Sequence, residues 1–314
     1  MNLLITRCLP AATVAAARQK FDVTYRDATT PLGPSELRAA LRDYDAVLPT
    51  LGDLFRADVF ADVPQPRCKI LANFGVGYNH IDVPAARAAG LQVTNTPGAV
   101  TDATADIAMT LILMSARRAS EGERLLRSGG WTGWHPTQML GTHVTGKSLG
   151  IIGMGRIGQA IARRCHHGFA MPVLYHNRST PNLDFPARQA PLEDVLKADF
   201  VVLAVPANAT THHLINDKTL SLIPATSHLI NIARGDVVDE AALIRALQSR
   251  QIAGAGLDVY EFEPRVPAAL IALDNVTLLP HLGTAALEVR QSMGQMAITN
   301  LIAHLDGSPL PNLV

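Results

Sequence analysis

The chain has 314 residues, 48% of them hydrophobic and 17% charged, with 27 basic side chains against 27 acidic ones. That length exceeds one typical domain and the composition suits a globular protein with a sizeable core, so two domains are expected. A formal net charge of zero with no basic run argues against nucleic-acid binding, and the apolar stretches are too short and interrupted to span a membrane.

Three scattered cysteines, Cys8, Cys68 and Cys165, form no CxxC pair and have no histidine at metal spacing. They read as reduced, buried thiols of a cytoplasmic protein, and no metal site is expected. The opening run Asn2-Leu3-Leu4-Ile5 lacks a cationic start and stops at Thr6-Arg7, which favours a first strand over a secretory leader. Strands are then expected at 3–6, 22–25, 46–48, 69–72 and 92–95, with helices at 11–19 and 34–41 between them. Gly33 precedes the second helix, Pro34 starts it and Glu36 lies in its first turn. Asp82 can cap a further helix that runs through Ala89 and stops at Gly90. This alternation predicts a small parallel sheet with helices on both faces.

Pro97-Gly98 breaks the pattern. Residues 103–118 read as one helix that is apolar nearly all round, as expected of burial between two domains or two subunits. A homodimer is therefore anticipated. Gly129-Gly130-Trp131-Thr132-Gly133-Trp134 reads as an irregular excursion whose tryptophans are packing anchors or a subunit contact.

The most informative stretch follows. Leu149–Ile152 is an apolar strand, Gly153-Met154-Gly155-Arg156-Ile157-Gly158 a glycine turn, 159–164 the start of an amphipathic helix and 173–178 a return strand. This is the order of a dinucleotide-binding βαβ unit. Gly153 permits the tight turn, Gly155 admits a pyrophosphate, and Gly158 lets helix and strand pack closely, while the helix N-terminus offers free N–H groups to phosphate. An NAD site of this kind carries an acid about 20 residues on. Here Asn177 stands 19 residues past Gly158, followed by Arg178, Ser179 and Thr180. No carboxylate repels a 2′-phosphate and a guanidinium is at hand to bind it, so NADPH is favoured, with NADH possible.

Further strands are expected at 200–205, 228–232, 254–259 and 276–279, with helices at 217–222 and 239–248 and a long amphipathic helix over 285–305. The architecture is α/β, two doubly wound parallel-sheet domains with a cleft between them: residues 1–98 with 283–314, and residues 99–282. Ligands of such sheets sit beyond the carboxyl ends of the strands, which singles out Pro206, Arg234, Asp258, Glu263 and His281. An arginine can grip a carboxylate in bidentate fashion, a histidine can exchange a proton near neutral pH, and a carboxylate beside it holds its tautomer. Each also has a bland reading: Arg234 as a cap or surface charge, His281 as a buried hydrogen-bonded residue, and Glu263 as a solvated turn residue with Glu261 as its rival. His166-His167 and His212-His213 are adjacent pairs whose side chains are expected to diverge, which disfavours a metal. His80 is expected either to line the substrate cleft or to hold its turn, and His176 to lie beside the adenosine.

These residues lie in phrases that resemble the D-isomer-specific 2-hydroxyacid dehydrogenase family over essentially the whole chain: 75–82 (GVGYNHID), the glycine turn, 231–240 (NIARGDVVDE), 256–264 (GLDVYEFEP) and 280–284 (PHLGT). Within that family the chain is most similar to the glyoxylate/hydroxypyruvate reductases, through 168–175 (GFAMPVLY) and the missing acid at Asn177. The resemblance implies a flavodoxin-like substrate domain, a Rossmann dinucleotide-binding domain and reduction of a small 2-oxoacid to the D-2-hydroxyacid. It makes Arg234 the oxoacid ligand, His281 the proton donor and Glu263 its partner, with Val76 and Gly77 offering N–H groups to the substrate carboxylate. It assigns Asp258 to the nicotinamide carboxamide and extends the cofactor contacts to Thr104, Val205, Pro206 and Thr211, and to Ile232, Ala233 and Gly283. Hinges of closure are expected near Pro97-Gly98 and Leu282-Gly283. The alternatives are a D-lactate, phosphoglycerate or phosphite dehydrogenase on the same scaffold, or a dinucleotide-sensing binding protein.

Overall fold

Short apolar runs flanked by turn residues become the strands of two parallel sheets in the computed structural model, which describes residues 1–314. The chain divides into two compact units, Met1–Val100 with Thr284–Val314 (unit one) and Thr101–Gly283 (unit two).

Unit one runs β1 (Asn2–Ile5), α1 (Ala11–Arg18), β2 (Asp22–Tyr25), α2 (Pro34–Asp43), β3 (Ala46–Leu48), α3 (Ala57–Ala61), β4 (Ile70–Ala72), α4 (Val83–Ala88) and β5 (Gln92–Thr94), and it is closed by the C-terminal helix Leu287–Leu305. Its sheet is ordered β2-β1-β3-β4-β5 with every pair parallel, the doubly wound order of flavodoxin-like folds. The central strands are buried on both faces, which explains why β3 and β4 read as unbroken apolar runs. Asp82 caps α4 through a 2.9 Å bond from the Ala85 N–H, and Gly90 takes φ +82 just past its end. The C-terminal helix buries Met293, Ala297, Ile298 and Leu301, one face of a 3.6-residue repeat.

Unit two opens with α5 (Thr101–Ala116) and α6 (Ala119–Arg127), then β6 (Leu149–Ile152), α7 (Arg156–Phe169), β7 (Val173–His176), β8 (Arg188–Gln189), α8 (Leu192–Val195) and β9 (Phe200–Leu203). It continues with α9 (Asp217–Leu220), β10 (His228–Asn231), α10 (Glu240–Gln248), β11 (Gly254–Leu257), α11 (Ala268–Ile271) and β12 (Val276–Leu278). All its strands pair in parallel in the order β12-β11-β10-β9-β6-β7-β8. Direction reverses at β6, giving the switch point of a dinucleotide-binding sheet between β6 and β9.

Three expectations are corrected here. Cys8 lies exposed just past β1, so only Cys68 and Cys165 are buried thiols. The apolar helix α5 is spent within its own unit: Ala105, Ala108, Leu111 and Ile112 are buried as it packs on α7, β10 and β11. Its composition is therefore no evidence for a subunit contact. Trp131 and Trp134 are not packing anchors of this chain either, for they stay 51% and 79% exposed. No helix is long and apolar enough to cross a membrane.

Candidate active site

The glycine turn follows the carboxyl end of β6. Gly153 sits at φ +99, and a Cβ there would lie 2.5 Å from the Ala204 carbonyl oxygen, so only glycine fits beneath β9. A Cβ on Gly158 would collide with the carbonyl oxygen of Gly153, which is how α7 comes so close to its strand. A Cβ on Gly155, by contrast, would meet nothing within 4 Å. Gly155 and Arg156 are exposed where α7 begins, so the amino end of that helix faces open space. A cofactor pyrophosphate fits this cradle by its chemistry: helix N–H groups, open space above Gly155, and no acid in the first turn of α7.

Asn177 does more than lack a charge. Its Oδ1 accepts from the Met154 N–H at 3.1 Å and its Nδ2 donates to the Ser179 carbonyl at 2.8 Å, so it braces the glycine turn against the end of β7. Arg178 and Ser179 are exposed beside it. His176 places Nδ1 3.3 Å from the Ala190 carbonyl oxygen.

Three neighbouring strands, β10, β11 and β12, deliver the other groups from their carboxyl ends. Asn231, the last residue of β10, accepts from the Ala233 N–H at 3.0 Å and donates to the Arg234 carbonyl at 2.9 Å, shaping the loop that carries Arg234. The Arg234 Nη1 donates to the Ala233 carbonyl at 2.7 Å. Burial lowers the pKa of its guanidinium, against the opposing charges of Glu263 and Asp236. After β12, His281 places Nδ1 2.8 Å from Oε2 of Glu263, and the other carboxylate oxygen of Glu263 accepts from the Tyr260 N–H at 3.0 Å. Burial pushes the Glu263 carboxyl up, yet the bond and charge of His281, the Tyr260 N–H and Arg234 together hold it below its ordinary value. Arg234, Glu263 and His281 are thus one electrostatic cluster.

Asp258 is buried, and burial raises its pKa against two backbone donors. Its carboxylate accepts from the N–H groups of Leu282 (2.6 Å) and Gly283 (2.8 Å), and its carbonyl from that of His281 (3.0 Å). The buried Thr104 hydroxyl donates to the Gly283 carbonyl at 3.2 Å. Around the switch point, Ile232 and Ala233 are buried, Val205 and Thr211 are half-buried and Pro206 is exposed. Thr211 Oγ1 donates to the Pro206 carbonyl at 2.7 Å. In unit one, the carbonyls of Gly75 and Gly77 accept from Asn73 Nδ2, that of Val76 from Asn95 Nδ2, and buried His80 lies 3.0 Å from Asn73 Oδ1.

Glu261, the sequence rival of Glu263, has a different partner: its Oε1 is 2.8 Å from His213 Nε2. The two histidine pairs do not diverge as expected. The rings of His212 and His213 stack with centroids 4.0 Å apart, and those of His166 and His167 meet edge-on at 4.9 Å. His213 sits in a turn at φ +47, outside any regular element, whereas His166 and His167 lie inside α7 and still meet, so helical spacing alone does not separate neighbouring rings.

A cavity of about 470 Å³ opens at the opposite, amino ends of β10–β12, lined among others by Ser115, Thr142, His228 and Asn275. Burial holds His228 at a pKa of about 4, and its two ring nitrogens already face Ser115 Oγ at 2.8 Å and Thr142 Oγ1 at 3.3 Å. It is a satisfied core histidine. Arg234, Glu263 and His281 lie at the other end of the sheet.

A family model described as the NAD-binding domain of D-isomer-specific 2-hydroxyacid dehydrogenases matches residues 109–283. Over 321 aligned residues the chain is 44% identical to a glyoxylate reductase of Thermococcus onnurineus and 43% identical to one of Pyrococcus furiosus, covering 100% of this chain and 95% of each relative. Among solved structures, an NADPH-dependent glyoxylate/hydroxypyruvate reductase from Sinorhizobium meliloti, in complex with NADP and malonate, matches with TM-score 0.88 at 34% identity, covering 100% of this chain and 96% of that one. The TT0316 protein of Thermus thermophilus matches with TM-score 0.92 at 40% identity over the full length of both chains. The sheet orders, the glycine turn and these matches agree: the chain belongs to the D-isomer-specific 2-hydroxyacid dehydrogenase family.

Proposed function

We propose that the chain is an NADPH-preferring glyoxylate reductase that also accepts hydroxypyruvate and yields the D-2-hydroxyacid. The observation that carries this reading is the His281–Glu263 pair at 2.8 Å, beyond the carboxyl end of the sheet that holds the glycine turn. Glu263 engages Nδ1, which leaves Nε2 of His281 as the nitrogen that faces substrate and gives up the proton. Arg234 binds the oxoacid carboxylate through its guanidinium fork, and its partial burial strengthens that charge pairing. A nicotinamide bound at the glycine turn and switch point would supply hydride to the keto carbon. His281 Nε2 protonates the oxygen as charge develops there, and the Glu263 carboxylate stabilises the imidazolium that precedes this transfer. Val76 and Gly77 are assigned as backbone donors to the substrate carboxylate, a reading supported by side-chain amides that tie up the carbonyls of their turn.

For the cofactor we assign the pyrophosphate to Gly153–Gly158, including the backbone at Met154, Arg156 and Ile157, and a 2′-phosphate to Arg178 and Ser179 beside Asn177. Asp258 is assigned to the carboxamide, with Thr104 and Gly283 in the same hydrogen-bonded knot and Val205, Pro206, Thr211, Ile232 and Ala233 around the switch point. The exposed Leu126 near the end of α6, with the exposed Trp131, Trp134 and Leu140 between α6 and β6, supports a homodimer built on that segment. A reduced cytoplasmic setting suits its free cysteines. Initial rates with glyoxylate and hydroxypyruvate, each with NADPH and with NADH, test the reading. Turnover with a preference for NADPH is expected. Absence of turnover with both substrates and both cofactors would overturn it.

A further inference from the structure

Two residues before Glu263, the same loop presents a second carboxylate to a different pair of side chains. His213 sits in a left-handed turn at φ +47, fixed by its N–H on the Asp236 carbonyl at 2.8 Å. Its Nε2 lies 2.8 Å from Glu261 Oε1, and the ring of His212 stacks on its own at 4.0 Å with 24° between the planes. His212, His213 and Glu261 therefore bring one donor atom each to a common point, all within 4.8 Å of one another.

We propose that His212, His213 and Glu261 form a binding site for a divalent transition-metal ion of the zinc class. Two imidazoles and one carboxylate are the donors such an ion takes, and three protein ligands leave a fourth position to water. Donors about 2.1 Å from a tetrahedral ion stand about 3.4 Å apart. The His213–Glu261 pair need open only slightly to admit the ion, and the widest pair must close by about 1.4 Å. Rotation of His212, the exposed member, supplies that movement. Behind Glu261 lies the buried carboxylate of Glu240, whose Oε2 accepts from the Glu261 N–H at 3.4 Å while Glu261 Oε2 accepts from the Glu240 N–H at 3.3 Å. This second acid adds negative charge beside the ion, partly offset by Arg265, which interacts with Glu240. An ion here would staple the loop after β9, which carries Pro206 and Thr211, to the loop after β11, which carries Glu263. The site stands on geometry alone and does not depend on the reductase reading.

The test is titration of the full, tag-free chain with zinc by calorimetry and with cobalt(II) by visible absorption, in a Cys8→Ser background that removes the one exposed thiol. One ion per chain and the visible bands of four-coordinate cobalt are expected. His212→Ala should weaken binding at least about tenfold, Glu261→Gln likewise, while the double variant His166→Ala/His167→Ala should bind as the background does. His212 is exposed, so its variant reports on the ion rather than on folding. Absence of saturable binding, or equal binding by the background and His212→Ala, would overturn the site.

Discussion

At His281 the backbone adopts φ +56, a left-handed conformation that a residue with a Cβ takes at some cost. Asp258 holds it there by accepting three successive N–H groups, those of His281, Leu282 and Gly283. A buried acid thus aims an imidazole. Glu240 shows the cost of burying an acid elsewhere in the same unit. Burial raises its pKa, so ionisation opposes folding above that value, and the penalty disappears below the ordinary glutamate pKa of about 4.3. Glu240→Gln keeps the acceptor for Glu261 and should therefore be more stable than the wild type at pH 7, with the advantage lost by pH 4. Denaturant midpoints at the two pH values check this. Arg178→Ala should cut the preference for NADPH over NADH roughly tenfold, the worth of one charge-assisted hydrogen bond, as read from the ratio of kcat/KM values.

Residues of this kind were only partly legible in the sequence. Arg234, Glu263 and His281 could be picked out because each follows a readable strand. Local pattern left Glu263 and Glu261 as rivals and only the family resemblance chose Glu263, because they sit two apart on one loop and its path decides which meets His281 and which meets His213. Asn177 was visible as a missing acid. Its brace to the Met154 N–H is a tertiary contact that no local pattern encodes.

Among the elements, the glycine turn separates two physical roles that a spacing pattern merges. A methyl group on Gly158 strikes the backbone of Gly153, whereas one on Gly155 meets only open space. Gly158→Ala should thus lose about 1–3 kcal/mol of stability, the usual cost of overpacking. Gly155→Ala should fold with an unchanged melting temperature and bind NADPH at least about tenfold more weakly, because its methyl group occupies the phosphate approach. Thermal melts and cofactor titrations of the two variants distinguish these outcomes. Long elements with a clear period were readable, whereas α3, α8 and α11, with five residues or four, are too short to display one. The helix α6 was missed for another reason. It is polar, buries no residue and starts beyond a left-handed break at Arg118, so it carries no apolar stripe facing a core.

At the scale of the whole molecule, the alternation of strands and helices was enough to foresee two parallel sheets, while the strand orders depend on crossovers that sequence does not fix. The apolar α5 misled in an instructive way. A helix buried on most faces implies neighbours without saying whose, and here they are α7, β10 and β11 of its own unit. If the exposed excursion instead joins two copies, Trp131→Ala with Trp134→Ala should sediment as a monomer where the wild type sediments as a dimer. Identical sedimentation of the two would remove that interface.

The central claim is that His281 donates the proton during reduction of a 2-oxoacid. Its most direct test is the kcat of His281→Ala with glyoxylate at saturating NADPH, alongside the affinity of the same variant for NADPH by fluorescence. A fall in kcat of roughly 10²–10⁴-fold with NADPH affinity little changed is predicted. A kcat equal to that of the wild type would contradict the account.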